Sequence, residues 1–391
     1  MKEVVIVSIA RTPVGSFGGN MSSFTAPQMG AIAIKAAIER AGIKGEQVNE
    51  VYMGNVLSAG IGQAPVTQAL IAAGLPDTTP GTTINKVCAS GMKAIMLGAQ
   101  SIMLGTNSIV VAGGMESMSN VPYYLDKARN GYRLGHGQIT DGLIKDGLWD
   151  PYGDMHMGNC GEICATEYNF TREAQDAFAV ETYKRANNAF ANGSFSKEIV
   201  EVQATVGRDT VTVNEDEQYK KLKADKIGTL KPAFKKDGTV TAANASPLSD
   251  GASAMVLMSA EKATELGLKP IAKIVSFADA NQKPEWFTTT PTKAMKIALE
   301  NAKLTAEQID YYEINEAFAV VAMANAKDMN IPSEKLNIWG GAIALGHALG
   351  NSGSRITITL CSILEQMNGK YGMASICNGG GGASAIIIEK L

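Results

Sequence analysis

Continuous runs of apolar, β-branched residues recur at wide intervals along the chain: Val4-Val5-Ile6-Val7, Ile109-Val110-Val111 and Ile386-Ile387-Ile388. Runs of this kind, unlike alternating ones, predict strands buried on both faces. Other segments carry helical spacing. Met92, Ile95, Met96, Ala99, Ile102 and Met103 leave almost no polar face, so the helix that holds them is predicted to be buried all round. An amphipathic helix is predicted from Arg172 to Asn192.

The pattern repeats. Lys35-Ala36-Ala37-Ile38-Glu39, followed by Glu46-Gln47-Val48, aligns with Lys296-Ile297-Ala298-Leu299-Glu300, followed by Glu307-Gln308-Ile309. In the same register Tyr52 and Asn55 fall opposite Tyr312 and Asn315, and Ser90-Gly91 opposite Ser352-Gly353, at a shift of about 260 residues. Two copies of an alternating strand and helix unit imply two related α/β halves. Between them, from about Asn120 to Asn244, the texture changes to aromatic residues and Gly-Asp turns, an insertion long enough to be functional. The expected organisation is an N-terminal half over 1–119 completed by about 245–268, a loop domain over 120–244, and a C-terminal half over 269–391.

Composition narrows the function. A chain of 391 residues, 45% hydrophobic, exceeds a single compact core and suggests two or three domains of ~100–200 residues each. A net charge of −3 leaves no footprint for nucleic acid, so a phosphate-bearing substrate would rely on a local group such as Lys221, Lys223, Lys226, Lys231, Lys235 and Lys236. No apolar run approaches the ~18–20 residues of a membrane span, and no leader precedes the first strand pattern. Glu389-Lys390-Leu391 is not the common peroxisomal address. Five cysteines in this length do not form a disulfide framework, which points to the cytoplasm. Cys160 and Cys164 share helical spacing but lack a second ligand pair, and no P-loop or dinucleotide fingerprint is present.

Chemistry concentrates on a few residues. Cys88, in Asn85-Lys86-Val87-Cys88-Ala89-Ser90-Gly91, opens the buried helix, where a thiol in the first turn would be favoured as thiolate by the helix dipole. His347 lies in Gly346-His347-Ala348-Leu349-Gly350 and fits a base for that thiol, the glycine permitting close backbone approach. Near them stand Asn315-Glu316-Ala317-Phe318 and Cys377-Asn378-Gly379-Gly380-Gly381-Gly382.

Together these stretches resemble the thiolase family, and within it the acetyl-CoA-condensing branch. The resemblance runs from Val5-Ile6-Val7 to the last strand and includes Gly113-Gly114-Met115-Glu116-Ser117-Met118, His156-Met157-Gly158 and Asn244-Ala245-Ser246-Pro247. It implies a duplicated five-layer αβαβα fold with an inserted loop domain that covers the substrate, and a homotetramer. It further implies reversible Claisen condensation of two acetyl-CoA to acetoacetyl-CoA and CoA, with coenzyme A thioesters as substrates and no tightly bound cofactor, nucleic acid or membrane partner. Cys88 would hold the acyl group, His347 would activate it, and Cys377 would move the α-proton. A water on Asn315 together with His347 would stabilise the enolate, and the amides of Cys88 and Gly379 the acyl carbonyl. Ser246 would meet the pantetheine arm, while Leu148, His156, Met157, Phe234, Ala242, Ala317 and Phe318 line the acyl pocket and tunnel. No metal is required, although Tyr183, Ala242, Ala243, Ala245 and Ile343 match positions where one potassium-dependent branch binds its cation. This chain departs from the family at Trp339, where Asn is common, and at Ala348, where Pro is common. A 3-ketoacyl-CoA thiolase for longer chains would use the same reacting residues. A non-catalytic lipid carrier on this fold should have lost Cys88, His347 or Cys377.

Overall fold

The computed structural model describes residues 1–391. The chain opens with β1 (Val4–Arg11), α1 (Ala26–Ala41), β2 (Glu50–Gly54), α2 (Pro65–Ala72), β3 (Gly81–Ile84), α3 (Ser90–Met103) and β4 (Ile109–Ser117). The stretch that follows contributes α4 (Met157–Tyr168), α5 (Arg172–Ala191) and a hairpin of Val202–Val206 with Asp209–Val213, before β5 (Ser249–Ser259) returns to the main sheet. The remainder is β6 (Ala272–Asn281), α6 (Thr290–Ala302), β7 (Tyr311–Ile314), α7 (Ala319–Asp328), α8 (Leu349–Gln366), β8 (Tyr371–Asn378) and β9 (Gly382–Lys390).

The duplication read from the sequence appears as a mirrored strand order, β7-β8-β9-β6-β1-β5-β4-β2-β3. In each half the strand after the first helix runs parallel to its neighbour (β2 to β4, β7 to β8), and the next pairings are antiparallel. β1 and β6 meet at the centre through Val5 with Lys273 and Ile6 with Ala272. The two sheets expected as separate layers are thus joined edge to edge, because the first strands of the two copies are free to pair there. Helices α3 and α8 pack on each other and lie between the halves, while α1 and α2 cover one outer face and α6 and α7 the other. The result is five layers.

The middle layer has no solvent side, and its residues show it. Helix α8 is buried continuously from Leu349 to Leu364, and α3 buries Met92, Ile95, Met96, Ala99 and Ile102. These side chains form one apolar cluster with Val4, Ile6, Val110, Leu257 and Ile386, at ~25 cal/mol per Å² of apolar surface removed from water. Both helices begin at the same end of this layer, and that end carries the chemistry.

Candidate active site

A cavity of about 590 Å³ opens beside the starts of α3 and α8. Its wall contains Cys88, His347, Leu148, His156, Met157, Phe234, Ala242, Ser246, Ala317 and Phe318, all singled out from the sequence. Asn315 and Cys377 are fully buried behind that wall, Cys377 within one apolar cluster with Met157, Ala317 and Phe318. Gly379 lines a second cavity of about 390 Å³ that shares Gly147, Met157 and Phe287 with the first.

Cys88 precedes α3 by two residues, and the turn that presents it is strained. Val87 has φ 49°, a left-handed conformation that a β-branched side chain adopts at a cost of about 1–3 kcal/mol. Local bonds hold it there: Asn85 Oδ1 accepts from Val87 N–H at 3.0 Å, and Ser90 Oγ accepts from Lys86 N–H at 2.8 Å. Lys86 Nζ crosses to Asp279 Oδ1 at 2.8 Å and to the Ala383 carbonyl at 3.1 Å, which ties this turn to β6 and β9 of the other half. The expected dipole-stabilised thiolate is corrected by this geometry. Burial pushes the Cys88 thiol up to about 12, against the opposing pull of the Gly379 and Cys88 amides, so the resting group is a neutral thiol. Being ahead of the first turn, and enclosed, outweighs the partial charge of the helix end.

His347 is equally constrained. Gly346 has φ 106°, and the His347 N–H donates to the Pro247 carbonyl at 3.2 Å and to Ser249 Oγ at 3.1 Å. Ser352 Oγ stands 2.9 Å from the Ala348 carbonyl and 2.6 Å from Nδ1 of His347. With its one proton on the carbonyl it accepts from Nδ1–H, the tautomer that leaves a lone pair on Nε2. Nε2 is buried with no partner in the protein. Burial, and then the charge of Arg355, lower the imidazole to about 3, so it is neutral at any working pH. Replacing Ser352 by Ala should release the ring and the tautomer together. We expect kcat to fall ~10–100-fold with KM little changed, measured by steady-state kinetics.

The repeat explains Asn315. Its counterpart Asn55 spends its amide on Glu116 Oε1 (2.8 Å) and the Met115 carbonyl (3.2 Å), a structural role. Asn315, at the same place after β7, has neither side-chain atom bonded although both are buried. An amide left open in a buried site is a place for water or substrate. Cys377 is the last residue but one of β8, its thiol raised well above the usual range by burial and by Cys88. The loop after it turns at Gly380 (φ 81°) and Gly381 (φ 82°).

On the substrate side, Ser246 Oγ donates to the Ala317 carbonyl at 2.9 Å, and His156 stacks on Phe234, whose ring meets Phe318 edge-on. His156 Nδ1 accepts from Gly158 N–H at 3.0 Å, and burial lowers its pKa, so it too is neutral. Leu148 ends a π-helical turn over Ile144–Leu148. Of the positions matched to a cation site, Tyr183 and Ile343 share an apolar cluster, Ala242 and Ala245 line the cavity, Ala243 N–H donates to Thr241 Oγ1, and Tyr183 Oη accepts from Gln218 Nε2 at 2.8 Å. Trp339 packs edge-on against Phe195 in that same cluster, away from the cavity wall. Ala348 has φ −75°, within the range proline would impose, so the backbone keeps its course without it.

Several supporting residues escaped the sequence reading. Ser352 appeared there only as part of the repeat. Glu116 accepts from Asn55 Nδ2 and the amides of Val56, Leu57 and Gly350, joining β4 to the start of α8; burial raises its pKa to about 7. Phe287 forms part of the wall between the two cavities. Glu116 lies within a stretch matched to the family, whereas nothing in the local sequence of Ser352 or Phe287 distinguishes them from ordinary core positions.

Known proteins resemble this chain over its whole length. The family descriptions "Thiolase, N-terminal domain" and "Thiolase, C-terminal domain" match residues 4–261 and 268–390. The chain belongs to the thiolase family. It is 56% identical over 391 residues to the acetyl-CoA acetyltransferase of Schizosaccharomyces pombe, covering 100% of this chain and 99% of that one. It is 52% identical over 393 residues to the mitochondrial acetyl-CoA acetyltransferase of Homo sapiens, covering 100% and 91%. Among solved structures, a thiolase from Ascaris suum in complex with coenzyme A superposes with a TM-score of 0.95 at 46% identity, each chain covered fully. The acetyl-CoA acetyltransferase of Bacillus anthracis superposes at 0.98 with 40% identity, covering 100% of this chain and 99% of that one.

Proposed function

We propose that this enzyme is an acetyl-CoA acetyltransferase, catalysing the reversible condensation of two acetyl-CoA to acetoacetyl-CoA and CoA. The observation that carries this reading is a neutral thiol and a neutral imidazole on one cavity wall, the imidazole's open Nε2 buried, with a second thiol behind. As Cys88 sulfur attacks the acetyl carbonyl, its proton passes to His347 Nε2, and the carbonyl oxygen is met by the amides of Cys88 and Gly379. Cys377 gives its proton to the departing CoA sulfur. The thiolate so formed takes an α-proton from the second acetyl-CoA, whose enolate oxygen is met by protonated His347 and a water on Asn315. The enolate attacks acetyl-Cys88, and His347 returns its proton to the released sulfur. Thiolysis of acetoacetyl-CoA by CoA, followed as acetyl-CoA formed, tests the reading; failure to turn over would contradict it.

Relatives are named for acetyl transfer rather than for long chains, and the pocket supports the same choice. Met157 and Phe287 line the cavity, and in this reading they bound the space into which an acyl tail would extend. Forcing extra methylenes against them costs about 1–3 kcal/mol, roughly tenfold to a hundredfold in rate. Acetoacetyl-CoA should therefore be cleaved far better than a ten-carbon 3-ketoacyl-CoA, and Met157→Ala should narrow the gap. Equal wild-type kcat/KM for the two lengths would favour the longer-chain reading.

The segment 120–244 supplies about half of the cavity wall, Leu143, Leu148, His156, Met157 and Phe234 among its residues. Within it, a hairpin of Tyr123–Tyr124 with Thr140–Asp141 exposes Leu125, Leu134 and Ile139, a surface suited to self-association as a homotetramer. Five free cysteines fit a reducing, cytoplasmic setting, although relatives include both cytosolic and mitochondrial proteins. No helix is long and apolar enough to cross a membrane.

A further inference from the structure

His347 sits on a loop gripped at both ends by buried carboxylates. Beyond it, Gly350 N–H donates to Glu116 Oε2 at 2.8 Å. Before it, a single helical turn, Ala342–Leu345, runs into Gly346. The Gly341 carbonyl accepts from Ala344 N–H (3.0 Å) and Leu345 N–H (2.9 Å), and the Ala342 carbonyl from Gly346 N–H (2.9 Å). The amides at the start of the turn go elsewhere: Gly341 N–H donates to Thr182 Oγ1 at 2.8 Å, and Ile343 N–H to Glu316 Oε2 at 3.2 Å. Thr182 belongs to α5 of the insert, and its Oγ1 lies 3.0 Å from each Glu316 oxygen. Asn337 Nδ2 donates to Glu316 Oε1 at 2.8 Å, while Asn337 also pairs with the N–H and the carbonyl of Ile314 at 2.8 and 2.9 Å. Glu316 and Thr182 are buried, and neither lines the cavity. Gly341 is pressed so closely on the carboxylate that a Cβ there would overlap it.

We propose that Glu316 is a positioning residue for the reaction, its carboxylate joining the turn that leads to His347, the segment that presents Asn315, and helix α5 of the insert through Thr182. Glu316 follows Asn315 directly and precedes Ala317, whose carbonyl accepts from Ser246, so anchoring its side chain sets the direction of both neighbours. Donors from Thr182, Asn337 and Ile343 converge on it, the bonding that a buried anion requires. An amide cannot replace it. In Glu316→Gln one acceptor becomes a donor, and Asn337 cannot turn to receive it without losing both bonds to Ile314. The new NH2 group therefore faces the Ile343 amide and frees the turn ahead of His347. Thr182 completes the link: its oxygen accepts from Gly341 and its proton goes to Glu316, so the hydroxyl, not the methyl group, makes the connection.

This inference rests on His347 acting as the base, and one arm of its test needs no turnover. The chain has three histidines, so nitrogen NMR of labelled imidazoles can follow His347 in the resting enzyme. Wild type should show a single tautomer with hydrogen on Nδ1, and Glu316→Gln a mixture of the two, because the ring is no longer held against Ser352. In thiolysis, Glu316→Gln should lower kcat ~10–100-fold with KM changed less than about threefold. Thr182→Val keeps the shape of the side chain and removes the hydroxyl. It should show the same mixing and lower kcat about tenfold, the loss of one buried hydrogen bond, whereas Thr182→Ser should restore both readings. Should Glu316→Gln fail to fold, the two Thr182 variants carry the test. A single tautomer and wild-type kcat in the folded variants, a loss confined to KM, or equal losses in Thr182→Val and Thr182→Ser would overturn the proposal. Absence of wild-type thiolysis would instead strike the functional reading, and the tautomer comparison would still decide this one.

Discussion

Cys88→Ala should lose thiolysis and condensation together, by at least ~10⁴-fold in kcat, because no other group can carry the acyl chain between the two half-reactions. The fold should survive. Alanine is shorter by one sulfur, and Cys88 sits at the edge of the central cluster with its neighbours fixed by backbone bonds, so the cavity left costs about 1 kcal/mol. Thermal unfolding of the variant beside its activity separates the two effects. The strained Val87 turn adds an internal check. It is held by Asn85, Lys86 and Ser90, none of which needs the thiol, so the variant should keep its binding of CoA. Activity above background in Cys88→Ala would remove the basis of the mechanism.

The second large effect belongs to Cys377. In Cys377→Ala the acetyl group should still reach Cys88, since attack and activation depend on His347, and CoA thiolate can leave with a proton from water. Condensation and thiolysis should both fall, by ~10²–10⁴-fold or more, because the α-carbon is a weak acid and no other base remains. Rapid-mixing acetylation followed by steady-state turnover reads the two steps separately. Turnover near the wild-type rate would reduce Cys377 to a core thiol, as Cys361 is.

The sequence revealed most of the architecture because its repeat is physical: each copy must bury the same faces, and the β-branched runs of β1, β4 and β9 leave little alternative to a buried sheet. The edge-to-edge meeting of β1 and β6 was not legible, since two residue pairs carry it and no local pattern marks them. At the site, cysteine and histidine identify themselves, being scarce and set beside glycines. Their protonation states do not. The expectation for Cys88 followed from its place near a helix start, whereas burial, a property of the whole fold, decides the outcome. Likewise Asn55 and Asn315 look equivalent in the repeat, and only the presence of Glu116 opposite one of them separates a structural amide from an open one. Ser352 lies in a helix that reads as plain core, so its relation to His347 becomes visible only in three dimensions.

The central claim is that the acyl group passes through Cys88 while Cys377 handles the proton. Intact-protein mass after brief mixing of Cys377→Ala with acetyl-CoA, followed by peptide mapping, tests it most directly. The account predicts one acetyl group per chain, on the peptide containing Cys88, persisting because the next step is blocked. An unmodified protein, or an acetyl group on any other residue, would contradict it.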